Sequence, residues 1–515
     1  MMIYLPHQTG GLMKMKKLIP TALAALMILA SAAACSTNSK DVTEEMNVIS
    51  ETEAETADLS EEGQETGDGR PDAPPDNGGE HGAPPDGDGE HGEPGGTPPD
   101  GKGGGFGGGS SSSDIDYTAS VIIDSEDSQS NKTYTSVTAD ESAILISTAD
   151  SVTIGNPTVT KTGDSDGGDN CNFYGLNAAV LAKDGANVTI IGGTITSDAD
   201  GANGVFSYGG NGGQNGASGD GTTVSISDTV ITTTGDGSGG IMTTGGGITY
   251  ASNLIVETSG RSSAAIRTDR GGGTVTVEGG TYTTNGLGSP AIYSTAEISV
   301  SNAALVSNLS EGVCIEGKNS ITLTDCDLTA NNTKRNGNAT FLDTIMIYQS
   351  MSGDADSGTS AFTMTGGSLT SKSGHVFHVT NTNAVITLEN VKITNEDSEN
   401  VLLSVCDDGW SGAGNIAVLN ALNQTLEGMI LVGDNSSMTL NLTEGSSFTG
   451  AVSGVIRNAS GETVSEEAGT VSLILDSTST WILTADSYIT EFEGSLDQID
   501  TNGFTLYING VAAAS

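Results

Sequence analysis

Val188-Thr189-Ile190, followed five positions later by Ile195, sets a unit that returns as Val224-Ser225-Ile226 with Ile231, Val275-Thr276-Val277 with Tyr282, and Ile298-Ser299-Val300 with Leu305. The same reading covers Ile248-Thr249-Tyr250 with Ile255, Ile321-Thr322-Leu323 with Leu328, Phe362-Thr363-Met364 with Leu369, and Ile386-Thr387-Leu388 with Ile393. Undisturbed units recur at about 23–27 residues, a period that marks a solenoid rather than an ordinary globular core. Alternation within each unit sends the apolar residues inward and Ser or Thr outward. Two positions after each unit's second apolar residue stand Gly192, Asp228, Ser252, Gly279, Asn302, Asp325, Gly366 and Asn390. Gly, Asn and Asp tolerate positive φ, so a tight bend at one fixed point of every coil accounts for this column.

A third strand follows each unit after a loop of variable length. Its inward column reads Val205, Ile241, Ile266, Ile292, Val313, Ile345, Val376, Val401 and Met429, with Val180 one coil earlier. Three strands per coil, one tight bend and two elastic loops resemble the right-handed parallel β-helix of the pectin-lyase-like superfamily. The resemblance covers roughly residues 118–510 and is one of repeat architecture. The expected fold is all-β, about a dozen coils forming a rod of roughly 55–60 Å. Residues 118–165 read as an irregular first cap, and the repeat loosens after Met438.

Outward from this domain, assigned to residues 115–515, lie two other segments. Lys14, Lys16 and Lys17 precede an apolar run from Leu18 to Ala30, then Ser31-Ala32-Ala33-Ala34-Cys35. This resembles a bacterial lipoprotein signal over residues 1–34, with Cys35 as the lipid-bearing residue, although Ala32 stands where that family usually carries Leu. The resemblance implies a chain held by its N-terminal lipid on the extracellular face of the bacterial cell membrane. Residues 35–114 are acidic, then rich in Pro, Gly and Ser, and read as a disordered stalk. Ala73-Pro-Pro-Asp-Asn-Gly-Gly-Glu-His-Gly82 is repeated in tandem as Ala83-Pro-Pro-Asp-Gly-Asp-Gly-Glu-His-Gly92. A net charge of −47 argues against a nucleic-acid partner and against an anionic polymer held by electrostatics alone. Cysteine is sparse, without zinc spacing; Cys314 and Cys326 lie on successive strands, as either a disulfide or two buried thiols.

In the superfamily that the repeat resembles, the strand after the second elastic loop forms the ligand-facing sheet. Carried onto this chain, its first outward column is Phe206, Met242, Arg267, Tyr293, Cys314, Met346, Phe377, Leu402 and Ile430. The second is Tyr208, Thr244, Asp269, Thr295, Glu316, Tyr348, Val379, Ser404 and Val432. Phe206, Tyr208, Tyr293, Met346, Tyr348 and Phe377 then compose an apolar, aromatic strip, a candidate surface for an extracellular glycan or a host or cell-surface protein. Long loops at 209–223, 330–344, 349–361 and 406–415 cluster around the same strand, and loops folded over it would bury the strip instead.

Asp269 and Glu316 fall on that face two coils apart, about 9.6 Å at the β spacing, approaching the carboxylate separation of inverting glycoside hydrolases. Arg267, Arg270 and Lys318 are placed to hold a uronate carboxylate, and Arg267 is the candidate base of a polysaccharide lyase. The Asn-Thr-Asp, Gly-His-Gly and Arg-Ile-Lys signatures of polygalacturonases are absent; Cys406-Asp407-Asp408-Gly409-Trp410 has only a superficial likeness to their paired aspartates. No cofactor is implied, although Asp164, Asp166 and Asp169 alternate with glycine as in calcium loops, without the distal Glu of an EF-hand. These readings favour a lipid-anchored adhesin or glycan-binding rod over a polysaccharide-degrading enzyme.

Overall fold

The computed structural model describes residues 115–165, 168–211, 218–410 and 412–513. The expected signal peptide at 1–34, Cys35, the stalk at 35–114 and Asp166 lie outside the described residues. The rest is a right-handed parallel β-helix built on three sheets. Sheet A has 15 strands, sheet B 14 and sheet C 10, each coil adding one strand beside its predecessor. Among the described residues no helix is long and apolar enough to cross a membrane.

The repeated apolar columns become continuous stacks. In sheet B, Val188, Val224, Val275, Ile298 and Ile321 share one interior column; Ile195, Ile231, Tyr282, Leu305 and Leu328 share one in sheet C, all at most 1% exposed. Each buried aliphatic side chain contributes about 1.5–3 kcal/mol, so stability is spread along the rod rather than held in one centre. The bend between sheets B and C carries positive φ at Gly192, Asp228, Gly279, Asn302, Asp325, Gly366 and Asn390. Even there the ladder continues. Gly192 N–H donates to Ser227 O of the next coil at 2.8 Å, Gly279 N–H to Ser301 O at 2.7 Å, and Asn302 N–H to Thr324 O at 3.0 Å. Glycine at Gly192 leaves room for the previous coil's Asn156, whose Oδ1 would lie 2.4 Å from a Cβ there.

Three expectations are corrected. The unit read as Ile248-Thr249-Tyr250 with Ile255 sits one residue later. Thr249, Ala251 and Val256 face inward, Asn253 rather than Ser252 makes the bend, and Tyr250 and Ile255 are 50% and 56% exposed. A one-residue slip exchanges every side chain between faces, and the buried Thr249 is accommodated by a 2.6 Å hydroxyl contact with Thr243. The supposed first cap is two complete coils, Thr118–Ile123, Asp127–Ser130 and Thr133–Ser136, then Glu141–Ser147, Ser151–Gly155 and Thr158–Lys161. Their outward positions are so rich in Ser, Thr and Asp that the apolar column is thin. Phe377, read as outward, points into the rod. It pairs with Ile345 and Leu403, is fully buried, and meets Phe362 edge-on at 5.8 Å. Of the two readings open for Cys314 and Cys326, the structure shows buried free thiols, because Cys314 lies outside sheet A whereas Cys326 lies in the interior.

The C-terminal coils loosen for a definable reason. Sheet C ends at Lys392–Asn395, and the chain then passes from Asn415–Leu422 through Asn423 directly into Thr425–Val432, which joins sheet A. Gln424 takes the place of the missing strand. Its Oε1 accepts the Val391 N–H at 2.7 Å, while its Nε2 donates to Val391 O at 2.7 Å and to Thr425 O at 2.8 Å. A groove of about 640 Å³ opens beside it, lined by Lys392, Thr394, Asn400 and Glu427 among others.

Candidate functional site

The outer face of sheet A is set by the strands that carry the interior column, because alternate residues must leave the rod. Its first column runs Phe206, Met242, Arg267, Tyr293, Cys314, Met346, His378, Ser404 and Leu431. Beyond Met346 the expected column is displaced: His378 takes the place assigned to Phe377, Ser404 that of Leu402, and Leu431 that of Ile430.

Most of this face is roofed. Over the early coils lies the short helix Asp169–Tyr174, whose Phe173 and Tyr174 pack on Phe206, Tyr208, Leu181 and Met242. The helix ends at Gly175, where φ is +78° and a Cβ would come 2.9 Å from the Phe206 ring, so only glycine lets the roof sit this low. Thr244 Oγ1 ties the roof down through Phe173 O at 2.7 Å. Phe206 and Tyr208 are at most 2% exposed and belong to a second, exterior core; Met346, farther along the face, is likewise buried at 4%. Among the described residues the roof over Phe206 and Tyr208 is the helix Asp169–Tyr174, and the Phe173-Tyr174 pair was its signal; most of the 209–223 loop lies outside the described residues. Tyr293 and Tyr348 remain half-buried.

Asp269 and Glu316 do lie two coils apart on the expected column, separated by Thr295. Both are spent internally. Asp269 Oδ2 accepts from Arg267 Nη2 at 2.7 Å and its Oδ1 from the Arg270 N–H at 2.9 Å. Burial pushes its carboxyl up to about 6, with the Asp354 charge adding to the rise against the pull of Arg267. Glu316 Oε2 accepts from the hydroxyls of Tyr293 at 2.5 Å and Tyr348 at 3.1 Å, and its Oε1 from Ser350 and Ser352. Burial, reinforced by Glu316, pushes both phenols well up, so they stay protonated donors. The cations expected to hold a uronate are consumed as well. Arg267 serves Asp269, Arg270 pairs with Asp354 at 2.5 Å above the Phe173 ring, and Lys318 pairs with Asp356 at 2.7 Å. The last two pairs bind the 349–358 loop to the rod, which is a structural use of the residues.

Sequence reasoning missed a third cluster, on the later coils. His375 Nδ1 and His378 Nδ1 each lie 2.7 Å from Ser404 Oγ, and His378 Nε2 lies 3.3 Å from Asp408 Oδ2. Phe341 stacks on His378 at 4.6 Å, and Thr340 N–H donates to Asp408 Oδ1 at 2.6 Å. Burial pushes Asp408 up, but the imidazole and the Thr340 amide outweigh it and hold the carboxylate below its usual range. Burial, with His378 beside it, pushes His375 down to about 3, leaving it neutral. The set has the composition of a Ser-His-Asp nucleophile, yet Ser404 and His378 are fully buried and Asp408 is 1% exposed. Through the Thr340 amide and the Phe341 ring the cluster anchors the 331–342 loop. Two of the chain's five histidines in one strand, at 375 and 378, were the available signal.

Asp164 Oδ1 accepts the Asp200 N–H at 3.0 Å, and Asp169 opens the roof helix, its carboxyl raised by burial. Among the described residues no group of three or more His, Cys, Asp and Glu is placed to hold a metal ion. Comparison with protein-family models, curated proteins and solved structures finds no match.

Proposed function

We propose that this chain is a lipid-anchored cell-surface β-helix of the pectin-lyase-like kind, acting as an adhesin or as a glycan- or protein-binding rod rather than as a polysaccharide-degrading enzyme. One observation supports the non-catalytic reading: Asp269 and Glu316, the carboxylates of the hydrolase alternative, each meet internal donors and are only 4% and 2% exposed. Inverting hydrolysis needs one of the pair to activate a water and the other to protonate a leaving group, and neither has a free approach. The lipid at Cys35 and the acidic Pro/Gly stalk support display away from a membrane. With the aromatic strip roofed, recognition falls to the loops and edges of the rod.

The test is incubation of the full chain with uronate-containing and neutral polysaccharides, and its application to arrays of glycans and host proteins. Retention without new reducing ends or unsaturated products is expected. Product release that disappears in Asp269→Ala or Glu316→Ala would overturn the reading. Cys35→Ala is expected to release the protein from membranes into the medium.

A further inference from the structure

We infer that the gap where sheet C stops is a binding site for an extended peptide of a partner protein. The peptide enters as an added β-strand, carrying an acidic, an apolar and a basic residue in that order. This deepens the proposed function and rests on its protein-binding form.

A strand inside a parallel sheet is bonded along both edges, whereas Lys392–Asn395, the last of sheet C, is bonded along one. Lys392 N–H donates to Gly367 O at 3.0 Å and Glu396 N–H to Ser371 O at 2.8 Å, both in the preceding coil. Backbone direction alternates along a strand, so Ile393 and Asn395 turn their N–H and C=O groups toward the gap. Across the gap runs the first half of Thr425–Val432. Its Gln424 side of the ladder looks forward, because Ser447 N–H donates to Gln424 O at 2.9 Å. Met429 looks back, its N–H donating to Asn400 O at 2.8 Å. By the same alternation Thr425 and Glu427 also face the gap. Gln424 satisfies one end only, through both polar groups of Val391 and the carbonyl of Thr425. On the gap side the backbone groups of Ile393, Asn395 and Glu427 have no partner among the described residues. Two unpaired edges therefore flank the groove of about 640 Å³, and one strand laid between them would bond to both.

What flanks the gap sets the chemistry of its occupant. The Gln424 bridge puts Val391 level with Gln424, hence Lys392 with Thr425, Ile393 with Leu426 and Thr394 with Glu427. Ile393 continues the interior column of sheet C through Leu369 and is only half-buried, since no strand follows it; Leu426 is fully buried. The occupant's residue between these two is apolar, as at the other steps of that column. Its neighbours on either side point outward. One lies beside Lys392 and the other beside Glu427, both of which line the groove and are exposed. Neither forms an ion pair among the described residues. A carboxylate therefore complements the Lys392 end and an ammonium or guanidinium the Glu427 end. The occupant runs parallel to both neighbours, as the strands on either side do with theirs. Backbone amides at strand spacing, together with this alternation of side chains, select a polypeptide over a sugar chain.

The test is fluorescence anisotropy of the labelled peptide Ser-Glu-Val-Lys-Ser with the full chain. The reversed peptide Ser-Lys-Val-Glu-Ser and a copy N-methylated at Val are parallel probes. The first is expected to bind saturably, about tenfold more tightly than the reversed peptide of equal composition and charge. N-methylation, which removes an edge donor, should weaken it about tenfold. Bound peptide should slow amide hydrogen exchange at Ile393, Asn395 and Glu427 at least about tenfold. Glu427→Gln should weaken binding about two- to fivefold, and Glu427→Pro, which deletes the amide facing the gap, about tenfold or more. If Glu427→Pro melts early, the exchange footprint and Glu427→Gln decide. Unchanged exchange at Ile393 and Glu427, or equal or tighter binding of the reversed peptide, overturns the inference. Self-association of the chain that the peptide blocks would give the gap to a second copy and overturn the partner. Retention on a glycan or protein array without peptide binding removes this inference and leaves the proposed function standing. No retention on any probe or array removes both.

Discussion

Replacing Gln424 isolates what ends sheet C. Its amide satisfies the N–H and the carbonyl of Val391, a residue only 5% exposed, at the step where the third strand of the coil is missing. Stranding a buried donor or acceptor costs about 1–3 kcal/mol, so losing both amounts to about 2–6 kcal/mol. The neighbouring groove of about 640 Å³ admits water to the step, which places the cost at the lower end, about 2–3 kcal/mol. Because a solenoid unfolds in segments, the effect is read locally, by amide hydrogen exchange at Val391. An opening free energy lowered by that amount speeds exchange roughly 30- to 150-fold. Gln424→Leu and Gln424→Ala separate bonding from packing, since leucine keeps the volume and loses the amide. Both are expected to accelerate Val391. Exchange in Gln424→Leu within threefold of the parent would refute the reasoning and leave packing as the cap.

Four further outcomes follow from the geometry. The Asp269 carboxyl lies at about 6 instead of the ordinary 3.8, so its protonated form is the one that folding favours. Its contribution is therefore complete below pH 4 and is lost as pH rises through 6: parent stability should fall relative to Asp269→Asn by roughly 3 kcal/mol between pH 4 and pH 7, and a constant difference in urea titrations would contradict the assignment. Tyr282→Ser should cost about 3–5 kcal/mol and Tyr250→Ser under about 1; comparable losses would mean that the 248–256 unit is in the other register. Tyr282→Phe should be neutral or slightly stabilising in the same melts, because the buried Tyr282 hydroxyl has no hydrogen-bond partner among the described residues. Cys314, Cys326 and Cys406, whose thiols burial pushes up, should resist alkylation in the folded protein and react on unfolding, as peptide mapping by mass spectrometry would show.

The fold was legible because period and alternation are properties of the chain itself: Val188, Val224 and Val275 stack wherever the loops go. Errors arose where two registers were nearly equal in local preference. Ile248 and Tyr250 are better apolar residues than Thr249 and Ala251, and only the Asn253 bend and the Thr243 hydroxyl inside the rod decide between them. His375-Val376-Phe377-His378 misled similarly, because Val376 continued the aliphatic column as naturally as Phe377. The outward strip was read residue by residue through Met346, but its exposure depended on Phe173 and Tyr174, contributed by another coil's insertion. Tertiary roofing of that sort leaves no periodic trace. Likewise the spacing of Asp269 and Glu316 was readable, while the donors that consume them sit on neighbouring coils and the 349–358 loop.

The bend column has a mechanical consequence. At Gly192, Gly279 and Asn302 the ladder turns the corner without a break, so a coil is held by its neighbours around the whole bend and detaches as a unit. Pulled from the tip, the rod surrenders one loop of thread at a time. Each coil of about 25 residues pays out some 80 Å of taut chain in exchange for about 4.8 Å of axial length. A short rod of this construction is thus a spool, able to lengthen under shear by many times its own height while the coils nearer the base keep their shape.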